Sequence, residues 1–102
     1  MPLPKLFYGI PVSCNPTGVS WSEARKRAVY AAACEFDFLI LEDDAYFYLQ
    51  FPAAPGAPPP GLRGLGRSLL SMDTAGRVIR ADTFSKFLAP VRLRLMQAGP
   101  AF

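Results

Sequence analysis

LFYGIPVSCNPTGVSWSEARKRAVYAAACEFDFLILEDD, from Leu6 to Asp44, carries four structural signals in a fixed order. Leu6–Val12 is apolar and aromatic and closes on a proline, which predicts a buried strand leaving a sheet. SCNPTG (Ser13–Gly18) is dense in turn formers. Ser20 and Glu23 stand at capping-box spacing, with Ser20 as the N-cap, and the Ala-rich run from Trp21 predicts a helix to about Glu35. FLIL (Phe38–Leu41) is a continuous apolar run, as in a strand covered on both faces, and it stops abruptly at Glu42-Asp43-Asp44. Strand, turn, helix, strand is a βαβ unit, so the fold class is α/β with a mainly parallel sheet.

Downstream the composition changes. From Pro52 to Gly66, nine of fifteen residues are Pro or Gly, which predicts a polyproline-like excursion without regular structure. Order resumes at Ser68, with a turn at Asp73–Gly76 feeding a strand at Val78–Ala81 and then Thr83-Phe-Ser-Lys86. With 102 residues the chain is long enough for one small domain, residues 1–102, with 52–66 as an insertion. There is no internal repeat.

The composition of 51% hydrophobic and 19% charged residues excludes a disordered chain, and no apolar run is long enough to span a bilayer. The absence of His excludes Ser-His-Asp and Cys-His mechanisms and His-ligated metals. Cys14 and Cys34 show no CxxC spacing and are expected to be reduced and buried, with no metal. Residues 1–60 carry four Lys/Arg against six Asp/Glu, and 61–102 carry seven against two. That basic half reads first as a solvated face, then as a partner for a phosphate-bearing ligand; a net charge of +3 is too small to argue for nucleic acid. The apolar start is broken by Gly9 and Pro11 and lacks a cleavage site, so a cytoplasmic protein is expected, mitochondrial if the true N-terminus is missing.

Ligands of open α/β sheets bind beyond the carboxyl ends of the strands. Three polar clusters fall there: Asn15 after the first strand, Asp43–Tyr46 after the second, Thr83–Lys86 after the third. Alone, each has an ordinary reading: a turn, a solvated acidic loop, a surface lysine. Their coincidence at three strand ends is what singles them out.

With VSCNPTGVS (Val12–Ser20), EFDFLILEDDAYFYLQF (Glu35–Phe51) and LLSMDTAGRVIRADTFSK (Leu69–Lys86) in this order, the chain resembles the fold-type I, pyridoxal-phosphate-dependent aminotransferases of class I/II, and among them the 2-aminoadipate/kynurenine and aromatic subgroup. The resemblance covers most of residues 6–88. It implies a partial PLP-dependent transferase large domain and transamination between an α-amino acid and a 2-oxo acid, with pyridoxal 5'-phosphate as cofactor. By the same resemblance Lys86 would bond the cofactor covalently and shuttle the substrate proton. Asp43, selected over Asp44 by the Asp-x-x-Tyr spacing, would pair with the pyridine nitrogen. Tyr46 and Asn15 would bond the ring's phenolic oxygen, and Thr83 and Ser85 the phosphate. A phosphate-binding Arg is expected after Lys86, where the family's small-Gly-Leu-Arg pattern is replaced by FLAPVRLRLM; Arg94 fits that role better than Arg92. Of the three lysines, Lys5 precedes a strand and Lys26 is expected on the surface of the Glu23–Arg27 helix, leaving Lys86 for the cofactor.

The family's upstream phosphate loop, the ring-stacking aromatic and the substrate-carboxylate Arg have no counterpart here. The chain is therefore expected to be a central slice of the large domain, inactive alone, with a homodimer implied for the full-length family member. No nucleic acid or membrane partner is expected. The alternatives are a catalytically inactive remnant, a ligand-sensing aminotransferase-like module, and a docking peptide at Pro55–Pro58.

Overall fold

Parallel pairing builds the centre of the molecule. In the computed structural model, which describes residues 2–50, 54–58, 61, 64–83 and 94–98, strand β1 (Leu6–Gly9) pairs with β2 (Leu39–Asp43), and β2 with β3 (Val78–Thr83). Helix α1 (Glu23–Phe36) links β1 to β2, and the short α2 (Leu69–Met72) precedes β3. Strand β4 (Arg94–Ala98) closes the β1-β2-β3-β4 sheet antiparallel to β3. The expected α/β class and βαβ unit are present; α2 and β4 were not anticipated.

Helix α1 begins two residues later than the capping-box spacing predicts. Ser22 is its N-cap, with Oγ accepting from Arg25 N at 3.2 Å. Ser20 Oγ instead accepts from Ser13 N at 2.9 Å, and Trp21 N donates to the Pro11 carbonyl at 2.7 Å, so both residues belong to the loop. Glu23 favours the positive end of the helix and pairs with Arg27 one turn on, at 2.7 Å. The helix stops at Asp37, whose left-handed backbone (φ 56°) returns its N–H to Ala33 O.

Both helices cover one face of the sheet. Ala33 of α1 and Leu69 of α2 pack with Ile40 and Val78, and Trp21, Val29, Tyr30, Phe38 and Leu70 surround them. Trp21 seats over Gly9, where a Cβ would lie 2.7 Å from the indole Cη2, so glycine is required there by space alone. On the other face, side-chain alternation and register align Tyr8, Leu41, Asp43, Ala81 and Met96.

That second face corrects the expectation of a buried first strand. β1 lies at the sheet edge, and Leu6, Phe7 and Tyr8 are exposed, with only Gly9 buried. Likewise β2 buries Ile40 and Glu42 but leaves Leu39, Leu41 and Asp43 half-exposed, because helices cover one face of it among the described residues. Cys14 is half-buried and Cys34 exposed, against the expected burial of both, because Ala33 takes the core-facing position on α1. Within 52–66 the described residues form no α-helix or strand.

Candidate functional site

Because β1, β2 and β3 are parallel, their carboxyl ends lie along one edge of the sheet. Asn15 follows β1, Asp43 ends β2, Tyr46 sits in the turn behind it, and Thr83 ends β3. Arg94 pairs with Thr83 across the β3–β4 ladder, which brings its backbone to the same edge. Ser85 and Lys86 lie outside the described residues, as does Arg92. Asn15 is exposed on a loop pinned by Cys14 N donating to Val19 O at 3.0 Å, and Tyr46 is half-buried.

Asp43 is the organised centre of this edge. Its Oδ2 accepts from the Tyr8 hydroxyl at 2.6 Å and its Oδ1 from Ala45 N at 3.3 Å. Donors from two elements therefore fix the plane of a half-buried carboxylate, and both oxygens keep lone-pair capacity. A carboxylate so held suits a protonated ring nitrogen, which favours an adjacent fixed negative charge. In that respect the donor set fits the pyridoxal phosphate that the sequence implies.

The neighbouring acids do different work. Glu42 is fully buried and accepts from Leu69 N at 2.6 Å and Leu70 N at 3.1 Å, satisfying the first amides of α2. Burial holds its carboxyl above the usual range, against those two backbone bonds. Asp44, 3% exposed, is not a solvated loop residue: its Oδ2 lies 2.9 Å from Arg80 Nε, out of hydrogen-bond alignment, and among the described residues neither carboxyl oxygen has a donor. Burial first, and the Glu42 charge second, push Asp44 up to about 8, with Arg80 opposing. Arg80 also pairs with Asp82 at 3.1 Å and stacks over the Phe47 ring, 4.4 Å from its centroid.

Lys26 corrects the sequence reading as well. It is 4% exposed, with Nζ donating to the Arg67 carbonyl at 2.7 Å, because the helix turns it toward the start of α2 rather than to solvent. The basic second half is partly spent internally: Arg77 pairs with Asp37 at 2.9 Å, Arg80 with Asp44 and Asp82, and Arg67 donates to the Ser71 carbonyl at 3.2 Å. Tyr8 and Arg80 escaped the sequence reading. Tyr8 could not be read from one sequence, since its face relative to Asp43 follows only from the β1–β2 register.

An aromatic amino acid aminotransferase of Dictyostelium discoideum is 50% identical over 86 residues, covering 84% of this chain and 17% of that protein. The mitochondrial kynurenine/alpha-aminoadipate aminotransferase of Bos taurus is 48% identical over 86 residues, 84% of this chain and 18% of that protein. A crystal structure of Pyrococcus horikoshii kynurenine aminotransferase in complex with PMP superposes with a TM-score of 0.75 at 36% identity, over 95% of this chain and 22% of that one. No family model matches. The chain is homologous, over most of its length, to aminotransferases of the aromatic and kynurenine/aminoadipate group, a pyridoxal-phosphate-dependent family. It spans about a fifth of the length of these relatives.

Proposed function

We propose that this chain is the cofactor-binding segment of an aminotransferase that exchanges an amino group between an α-amino acid and a 2-oxo acid. The carrying observation is the Asp43 carboxylate, held by Tyr8 and Ala45 at the carboxyl edge of the parallel strands. When bound, pyridoxal phosphate supplies an electron sink conjugated to the substrate Cα. Asp43 holds the proton on the ring nitrogen, where its charge is most useful. Tyr46 and Asn15 donate to the ring's phenolic oxygen. Thr83, Ser85 and Arg94 would hold the phosphate, and Lys86 would hold the cofactor and, once displaced by the substrate, move the proton at the substrate Cα. The names of the relatives favour an aromatic or aminoadipate-type donor, and the reading includes a homodimer for the whole protein. The cytoplasm is the compartment we assign, with the mitochondrion named for the bovine relative as the alternative; fractionation of the native protein decides between them.

Borohydride trapping at low pyridoxal phosphate, followed by peptide mapping, tests this reading. Lys86 is expected to take the label in preference to Lys5 and Lys26, and Asp43→Ala to lower that label several-fold. Burial of Lys26 against Arg67 makes Lys5 the informative control. Equal labelling of Lys5 and Lys86 would overturn the reading in favour of an inactive remnant.

A further inference from the structure

We infer that Tyr8 is a positioning residue: its hydroxyl orients Asp43 toward the cofactor ring nitrogen. This rests on the proposed cofactor role of Asp43 and adds to it a residue of a different strand. Tyr8 stands opposite Leu41 in the β1–β2 register, so alternation puts its ring on the face of Leu41 and Asp43, and the phenol spans the two residues along β2. The resulting O–H···O contact of 2.6 Å is in the range of charge-assisted hydrogen bonds to a carboxylate.

Asp43 has two side-chain torsions to settle, and its own strand fixes neither. Ala45 N, at 3.3 Å on Oδ1, is a long contact and cannot by itself hold the carboxylate plane. The Arg80 cluster lies on the opposite face, engaged with Asp44 and Asp82, and gives Asp43 no orientation. The short bond from β1 is what sets the torsion. An acceptor misplaced by an ångström loses much of its effect on the atom it serves, so the orienting hydroxyl matters beyond one bond's worth of stability.

Tyr8→Phe removes only the hydroxyl, from a side chain 55% exposed, so the core is untouched. In the cofactor-free full chain, carbon-13 NMR of labelled aspartate reads the Asp43 carboxyl; Asp43→Asn identifies the signal. Tyr8→Phe is expected to move that signal, and an unmoved signal would overturn the inference. With pyridoxal 5'-phosphate added, the variant is expected to bind about tenfold more weakly, on the scale of one hydrogen bond to a charged group. The pyridine nitrogen-15 shift is expected to move toward the unprotonated value, a change that loss of packing would not produce. Unchanged affinity and unchanged nitrogen shift, with Lys86 still labelled, would overturn the positioning role while leaving the functional reading intact. Absence of any Lys86-specific label in the unsubstituted chain would instead refute the functional reading, and the positioning role with it.

Discussion

Burial of Asp44 between Glu42, Arg80 and Asp82 gives the chain a titration that its composition hides. The folded carboxyl, raised to about 8, keeps its proton through the range in which the unfolded one, near its ordinary 3.8, has lost it. The folded state then binds the extra proton, so stability is greatest below the unfolded value and falls as pH rises toward 8. The slope approaches about 1.4 kcal/mol per pH unit for one proton. Glu42, also raised by burial, acts in the same direction. Asp44→Asn imitates the neutral acid and cannot ionise. It is expected to match the parent near pH 4, to be more stable at pH 7–8, and to flatten the slope; Arg80 keeps its Asp82 partner throughout. Urea denaturation across pH 4–9 measures this, and a parent whose stability rises from pH 5 to 8 would contradict it.

Helix α2 shows what an element of four residues needs in order to exist. Nothing in LLSM has the length to nucleate a helix alone. Its first amides are met from outside: Ser68 Oγ takes Ser71 N at 3.1 Å, and Glu42, projecting from β2, takes Leu69 N and Leu70 N. Glu42→Ala leaves two amides without acceptors and is expected to destabilise the chain by about 2–4 kcal/mol. Glu42→Gln, which keeps one acceptor oxygen, should cost less. Amide exchange at Leu69 and Leu70 is the direct readout, with acceleration expected there first and at the β2–β3 ladder later. This dependence explains what was legible beforehand. α1, β2 and β3 carry their signals locally, in an Ala-rich run and two apolar strands, and were foreseen to within two residues or so. α2 depends on a carboxylate 27 positions away in sequence, and β4 on pairing with β3, so neither leaves a local signal. The edge carrying Asn15, Asp43 and Thr83 was legible because strand order alone places it. The Tyr8 contact and the Asp44–Arg80 pair needed register between strands, which one sequence does not print.

Among the described residues, helices cover one face of the sheet and leave the other open. The accessible surface is 7093 Å², against about 5,700 Å² expected for a folded monomer of this mass, so the chain exposes well over the usual area. Large apolar side chains are among what is exposed: Leu3 is 66% exposed, Leu6 52% and Met96 68%. Leu3, Pro4, Leu6, Phe7, Phe36 and Phe38 line a further apolar cleft of about 310 Å³ at the β1 edge. β1 and β4 are the two edge strands, and each presents an unpaired backbone ladder among the described residues. Apolar area and open edges together favour association over a lone folded monomer, because joining two such faces removes water from both at about 25 cal/mol per Å². The 102-residue chain expressed alone is therefore expected to self-associate at micromolar concentration and to bind a hydrophobic dye. Substituting the exposed face, as in Leu6→Lys with Met96→Lys, touches neither the core cluster nor the Asp43 contacts. It is expected to lower light scattering and dye binding while leaving α1 intact by circular dichroism. A sharp, dispersed amide spectrum from a parent monomer at the same concentration would contradict this. It would mean that the α1–α2 layer over Ile40 and Val78 is by itself enough to hold the sheet with one side bare.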